Sequence, residues 1–128
     1  MTSENKLVYI VDDDESVCRA LKTFLIAYGF EVNTFNSAQS FFDAVPYDAP
    51  GCLVLDIHMP VLDGWETHKR IIESGSKRHV ILISAEKADN VADRALKAGV
   101  VGFLHKPFDC LALVNLVNAS ENMCGAAQ

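Results

Sequence analysis

Four short apolar runs, each ending in a polar group, constrain the fold of this chain more than any other feature. They are Leu7 to Val11 before Asp12-Asp13-Asp14, Cys52 to Leu55 before Asp56, Val80 to Ile83 before Ser84, and Val101 to Leu104 before His105-Lys106-Pro107. Parallel strands buried on both faces read as near-continuous runs of this kind. In open parallel sheets, ligands sit outside the carboxyl ends of the strands. As strands of one sheet, these runs would gather Asp12, Asp13, Asp56, Ser84 and Lys106 at one crevice.

Helical patterns fill the gaps. Val17, Leu21, Phe24, Leu25 and Tyr28 recur at helical spacing from about Glu15 to Tyr28, with Gly29 as the stop. Phe30 to Phe35 alternates apolar and polar residues, the pattern of an edge strand. Ser37 caps a second helix that ends before Pro46. Met59 to Gly64 reads as a loop from its Pro and Asp-Gly punctuation, followed by a helix from Trp65 to about Ser74. A fourth helix spans about Asp89 to Ala98, and Asp109 stands near the start of a fifth. Strict alternation of strand and helix predicts an α/β fold with a parallel sheet covered on both faces. A chain of 128 residues is one domain by length, here 1–128, with a frayed tail expected over about 122–128.

Half the residues are hydrophobic and 22% are charged, which fits a globular domain rather than a disordered one. The net charge of −6, with acids bunched from Asp12 to Glu15, argues against direct binding to nucleic acid. No apolar run approaches a membrane span, and the first residues lack a signal-peptide layout. The four cysteines form no C-x-x-C pair, so reduced thiols and a cytoplasmic location are expected.

The crevice can be tested for reach by supposing the flavodoxin-like strand order two-one-three-four-five. Asp13 and Asp56 then end adjacent strands about 4.8 Å apart. Lys106 lies two strands from Asp56, about 10 Å away, a gap its stem can close by leaning inward. Several carboxylates at one place raise one another's pKa unless a cation compensates. A hard ion such as Mg²⁺ takes carboxylate and phosphate oxygens, and Lys106 adds a fixed positive charge. An Asp beside both is poised to accept a phosphoryl group as an acyl phosphate.

Taken together, the doubled acid after the first strand, the Asp56-x-x-Met59-Pro60 loop with Asp63-Gly64, the Ser84-Ala85 pair and Lys106-Pro107 resemble the receiver domain of two-component response regulators. The resemblance covers nearly the whole chain and implies a (βα)5 fold with a five-stranded sheet in the order 2-1-3-4-5. It also implies that Asp56 is the phosphoacceptor. Mg²⁺ would be held by Asp13, Asp56 and the backbone carbonyl of His58, with Asp12 acting through water. Ser84 and Phe103 would be the switch pair and Lys106 the phosphate-binding lysine, with a cis bond to Pro107. Ser84 stands where Thr is more frequent, and Phe103 where Tyr is. His58 and Glu86 occupy positions that tune loss of the phosphoryl group.

Singly, these residues have plainer readings. Asp12 and Asp13 suit helix caps, Ser84 a loop hydroxyl and Lys106 a surface lysine. Their joint placement favours the site. His68 and His79 are expected to face solvent, and Trp65 to pack in the core.

The function implied is a signalling switch rather than a turnover enzyme. A sensor histidine kinase or histidine phosphotransfer protein would donate to Asp56. The face of the fourth helix, fifth strand and fifth helix would then change affinity for an output partner or a linked output domain, one class of which binds DNA, and phosphorylation could drive dimerisation. The alternatives are a phosphohydrolase using the Asp12-x-Asp14 spacing, or a binding module indifferent to phosphate.

Overall fold

Each apolar run forms a strand and each stretch between them a helix. The computed structural model describes residues 6–85 and 89–126. Its elements are β1 (Lys6–Val11), α1 (Glu15–Ala27), β2 (Phe30–Phe35), α2 (Ala38–Ala44), β3 (Cys52–Asp56), α3 (Gly64–Glu73), β4 (Val80–Ser84), α4 (Asp89–Ala98), β5 (Gly102–His105) and α5 (Cys110–Ala126). All strand pairs are parallel, in the order β2-β1-β3-β4-β5. This is the flavodoxin-like order, with the half-polar β2 at an edge.

The near absence of polar alternation in the inner strands has a direct cause. Every residue of β3 and β4 is buried, because helices cover both faces. On one face Val8, Ile10, Val54, Ile81 and Ile83 pack with Leu21 and Leu25 of α1 and with Leu113 and Val117 of α5. On the other, Tyr9, Val11, Leu53, Leu55 and Leu82 meet Phe41 of α2, Ile71 of α3 and Val91 of α4. Each fully buried Leu or Ile contributes roughly 1.5–3 kcal/mol.

Several boundaries differ from the sequence reading in ways that bear on function. β3 and β4 each run one residue further, so Asp56 and Ser84 are the last rungs of their strands rather than loop residues. β5 is displaced by one residue and ends on His105. α3 begins at Gly64, which the sequence assigned to a loop. α5 spans Cys110–Ala126, and Ala127 and Gln128 lie outside the described residues. His68 is 7% exposed, not solvent-facing, and His79 is half-buried. Burial pulls the His68 imidazole below its usual pKa, favouring the neutral ring. Trp65 is partly buried against the core as expected, and the Arg94 guanidinium stacks 4.1 Å over its ring.

Candidate functional site at the carboxyl ends of the strands

The parallel register brings the polar ends together. Asp12 continues β1, and its backbone N–H donates to the Phe35 carbonyl at 3.1 Å. Asp56 ends β3 opposite Ile83, and the next N–H, of Ile57, donates to the Ile83 carbonyl at 2.9 Å. Ser84 ends β4 opposite His105, and the Lys106 N–H donates to the Ser84 carbonyl at 2.7 Å. The Lys106–Pro107 peptide bond is cis.

Side chains then converge. Carboxylate oxygens of Asp12, Asp13 and Asp56 lie within 4.8 Å of one another, with Asp13 exposed and the other two buried. Lys106 Nζ sits 2.9 Å from Asp12 Oδ2 and 3.6 Å from Asp56 Oδ1. The first contact is a charge-assisted hydrogen bond, whereas the second is an ion pair too long for one. Asp12 is wholly buried, and its Oδ1 also accepts the Asp14 N–H at 2.9 Å. Ser84 is wholly buried beside them, while Phe103 is half-buried against the core facing α2, α3 and α4.

The electrostatics follow. Burial, then the neighbouring Asp12 charge, pushes the Asp56 carboxyl up to about 6, against the opposing pull of Lys106 and the His58 backbone N–H. Burial by itself would depress the Lys106 ammonium, but its bond to Asp12 and the charges of Asp12 and Asp56 outweigh burial and raise it. One cation thus serves two buried acids, and Asp56 is the less well compensated. The Cys18 thiol donates to the Asp12 carbonyl at 3.3 Å, and burial pushes it up to about 11, leaving it protonated.

Two residues that the sequence reading gave no site role shape this crevice. Asp14, not Asp12 or Asp13, caps α1. Its carboxylate accepts from the Ser16 hydroxyl at 2.6 Å and from the N–H groups of Ser16 and Val17 at 2.9 and 3.4 Å. Those bonds, the hydroxyl first, hold its pKa below the usual carboxylate value. Gly64 seats α3 directly on the Asp56 end of β3. A Cβ there would stand 2.6 Å from Ile57 Cα and 2.7 Å from the Asp56 carbonyl oxygen, so only glycine fits. The preceding Asp63 closes a capping box with Glu66. The Asp-Gly pair was legible as punctuation, but its task of fixing a helix against Asp56 was not.

The donor set fits a hard divalent cation, which prefers carboxylate oxygens and tolerates open positions filled by water or phosphate. A site offering such oxygens, a lysine and a buried hydroxyl can bind a phosphoryl group and present a carboxylate to it.

The comparisons with known proteins agree. The sequence matches the family profile of the response regulator receiver domain over residues 8–118. It is 37% identical to response regulator protein TmoT of Ectopseudomonas mendocina over 84% of this chain and 49% of that protein. It is 35% identical to response regulator protein TodT of Pseudomonas putida over 94% of this chain and 53% of that one. The chain thus spans about half the length of these relatives. The crystal structure of FixJ-N aligns with a TM-score of 0.82 at 31% identity, covering 91% of this chain and 93% of that one. A profile match over most of the chain, on a sheet whose acidic strand ends meet a lysine, makes this protein a member of the response regulator receiver domain family, signalling domains that act as phosphorylation-dependent switches.

Proposed function

We propose that Asp56 accepts the phosphoryl group and that Lys106, Ser84 and Phe103 convert its arrival into a change of surface. The observation that carries this reading is the Lys106 ammonium, poised between Asp12 at 2.9 Å and Asp56 at 3.6 Å. Asp56 is buried, raised in pKa and short of positive charge, while Asp12 has both oxygens engaged. The carboxylate left less tied down is the better nucleophile of the two.

In the reaction, an Asp56 oxygen attacks phosphorus while the phosphorus–nitrogen bond of a donor phosphohistidine breaks, and the departing imidazole keeps that electron pair and takes a proton. Asp13, Asp56 and the His58 carbonyl would hold Mg²⁺, with Asp12 reached through water. When bound there, Mg²⁺ neutralises charge on the phosphoryl oxygens. The engagement of both Asp12 oxygens supports its indirect place in that set, and the exposure of Asp13 its direct one. The acyl phosphate then adds about −1.5 to −2 of charge at the end of β3. Lys106 can follow that charge away from Asp12, and the Ser84 hydroxyl can donate to it. They are joined by the Lys106–Ser84 backbone bond, and β5, which carries Phe103 and leads into Lys106, contacts α4. A differential affinity of about 1–3 kcal/mol for two arrangements is enough to shift the α4, β5 and α5 face. A histidine kinase or phosphotransfer protein as donor, a linked or separate output partner, dimerisation on phosphorylation, help in its own dephosphorylation and a cytoplasmic location complete the proposal. Among the described residues no helix is long and apolar enough to cross a membrane.

The phosphohydrolase reading fares less well. It needs Asp12 and Asp14 as a catalytic pair, yet Asp12 is buried under Lys106 and Asp14 is committed to capping α1. Incubation with Mg²⁺ and acetyl phosphate should label the wild-type protein and leave Asp56→Asn unlabelled. Equal labelling of the two would remove Asp56 from its role, and multiple turnover of phosphorylated metabolites would favour the hydrolase.

A further inference from the structure

At the opposite end of the sheet, a cavity of about 290 Å³ opens between α2, α3 and the loop that enters β3. Phe41, Phe42, Tyr47 and Ile71 give it apolar walls, and the cations of Arg70 and Arg78 line it. Arg78 is half-buried. Its guanidinium donates to the Gly51 carbonyl at 3.0 Å and the Pro46 carbonyl at 3.2 Å, and lies 5.1 and 5.6 Å from the Tyr9 and Phe41 ring centres. Carbonyls and rings orient a guanidinium but carry no net charge. Among the described residues, neither Arg78 nor Arg70 has a carboxylate oxygen within 4.0 Å. The rim residue Gln39 donates its amide to Asp43 at 2.9 Å, so that acid is already engaged.

A half-buried arginine without a carboxylate partner, Arg78, is unusual beside aromatic walls in a chain of net charge −6, since sheltered charges are ordinarily paired, and the exposed Arg70 lines the same cavity. The planar guanidinium fork suits a carboxylate, and the rings suit an apolar body. The volume falls at the small end of ligand pockets, room for a single ring rather than a nucleotide. We propose that this cavity binds a small organic carboxylate with an aromatic or ring-sized apolar body, its carboxylate at Arg70 and Arg78 and its body against Phe41, Phe42 and Ile71. The site is separated from Asp56 by the length of β3, roughly 13 Å at about 3.3 Å per residue, and its occupancy is independent of the phosphoacceptor assignment.

The test is an NMR titration of the full chain with benzoate, using benzyl alcohol, acetate and inorganic phosphate as controls. Saturable shifts confined to α2, α3, the 45–51 loop and the 74–79 segment that carries Arg78 are expected, with affinity for benzoate about tenfold or more above every control. Arg70→Gln, at an exposed position where folding is not at risk, should weaken benzoate about tenfold, as loss of one charge-assisted hydrogen bond does, and Arg19→Gln on α1 should leave it unchanged. The proposal is overturned if benzoate fails to saturate at millimolar concentration or if any control matches it. It is equally overturned if Arg70→Gln binds as wild type or if Arg19→Gln weakens binding to the same degree.

Discussion

The two ends of the sheet solve opposite electrostatic problems. At the carboxyl ends, acids crowd around one lysine, and the Asp56 carboxyl is driven up to about 6 by burial and by Asp12. At the amino ends a single cation, Arg78, ties the loop before β3 to the start of β4 through two carbonyls and two rings. The backbone shows the same contrast. The loops at the amino end make their left-handed turns on glycines, among them Gly51 at φ 127°, where a Cβ would meet Tyr9 at 2.6 Å. The carboxyl end makes its left-handed turn on Val61, at φ 71°, a β-branched residue whose side chain is fully exposed. The Arg78 donors at one end meet neutral acceptors and leave only an unmatched positive charge, whereas the acids at the other are held against mutual repulsion by the rest of the fold. Tension at a reactive site is what a switch needs, since a small change of charge there can select another arrangement.

Substitutions can break this contrast. Arg78→Ala should have the largest effect, a loss of roughly 2–3 kcal/mol, because it strips the part-buried Gly51 carbonyl and the exposed Pro46 carbonyl of their donor and removes the stacking. Urea unfolding measures it; a change within error would deny the amino end its clamp. Asp56→Asn should act in the other direction and stabilise the metal-free protein near neutral pH by roughly 1–2 kcal/mol. The sign comes from proton binding. With its folded pKa at about 6 against an ordinary 3.8, Asp56 holds a proton in the folded state that the unfolded chain has already released. The stability carried by this group is full below about pH 4 and is lost as pH rises through about 6. The advantage of Asp56→Asn measured in EDTA should therefore grow across that window and shrink at its acid end. A constant difference would mean that Asp56 is not strained by ionisation. The smallest effect should come from Val61→Gly, a gain of roughly 0.5–1 kcal/mol once relief of the left-handed strain is set against the greater freedom of glycine when unfolded. Destabilisation by that change in thermal melts would show that Val61 is not strained.

Most of the fold was legible because the inner strands are buried on both faces and say so in Leu53 to Leu55 and Val80 to Ile83. The acids and the lysine were legible because each follows such a run directly. What escaped depends on contacts that no local pattern carries. Arg78 reaches carbonyls 27 and 32 residues away, so the sequence shows only an arginine before a strand. Asp12, Asp13 and Asp14 are adjacent and chemically alike, and only the exit angle from β1 decides that the third caps α1. His68 was misplaced for another reason. Gly64, Thr67, His68 and Ile71 form one buried face of α3 at helical spacing, but only Ile71 is apolar, so the face did not register.

The most direct test is to trap the acyl phosphate itself. After incubation with Mg²⁺ and acetyl phosphate, borohydride reduction and peptide mapping should find homoserine in place of Asp56 and intact aspartate at 12, 13 and 14. Reduction at any of those three acids with Asp56 untouched would contradict the assignment of the crevice as a phosphoacceptor site built around Asp56.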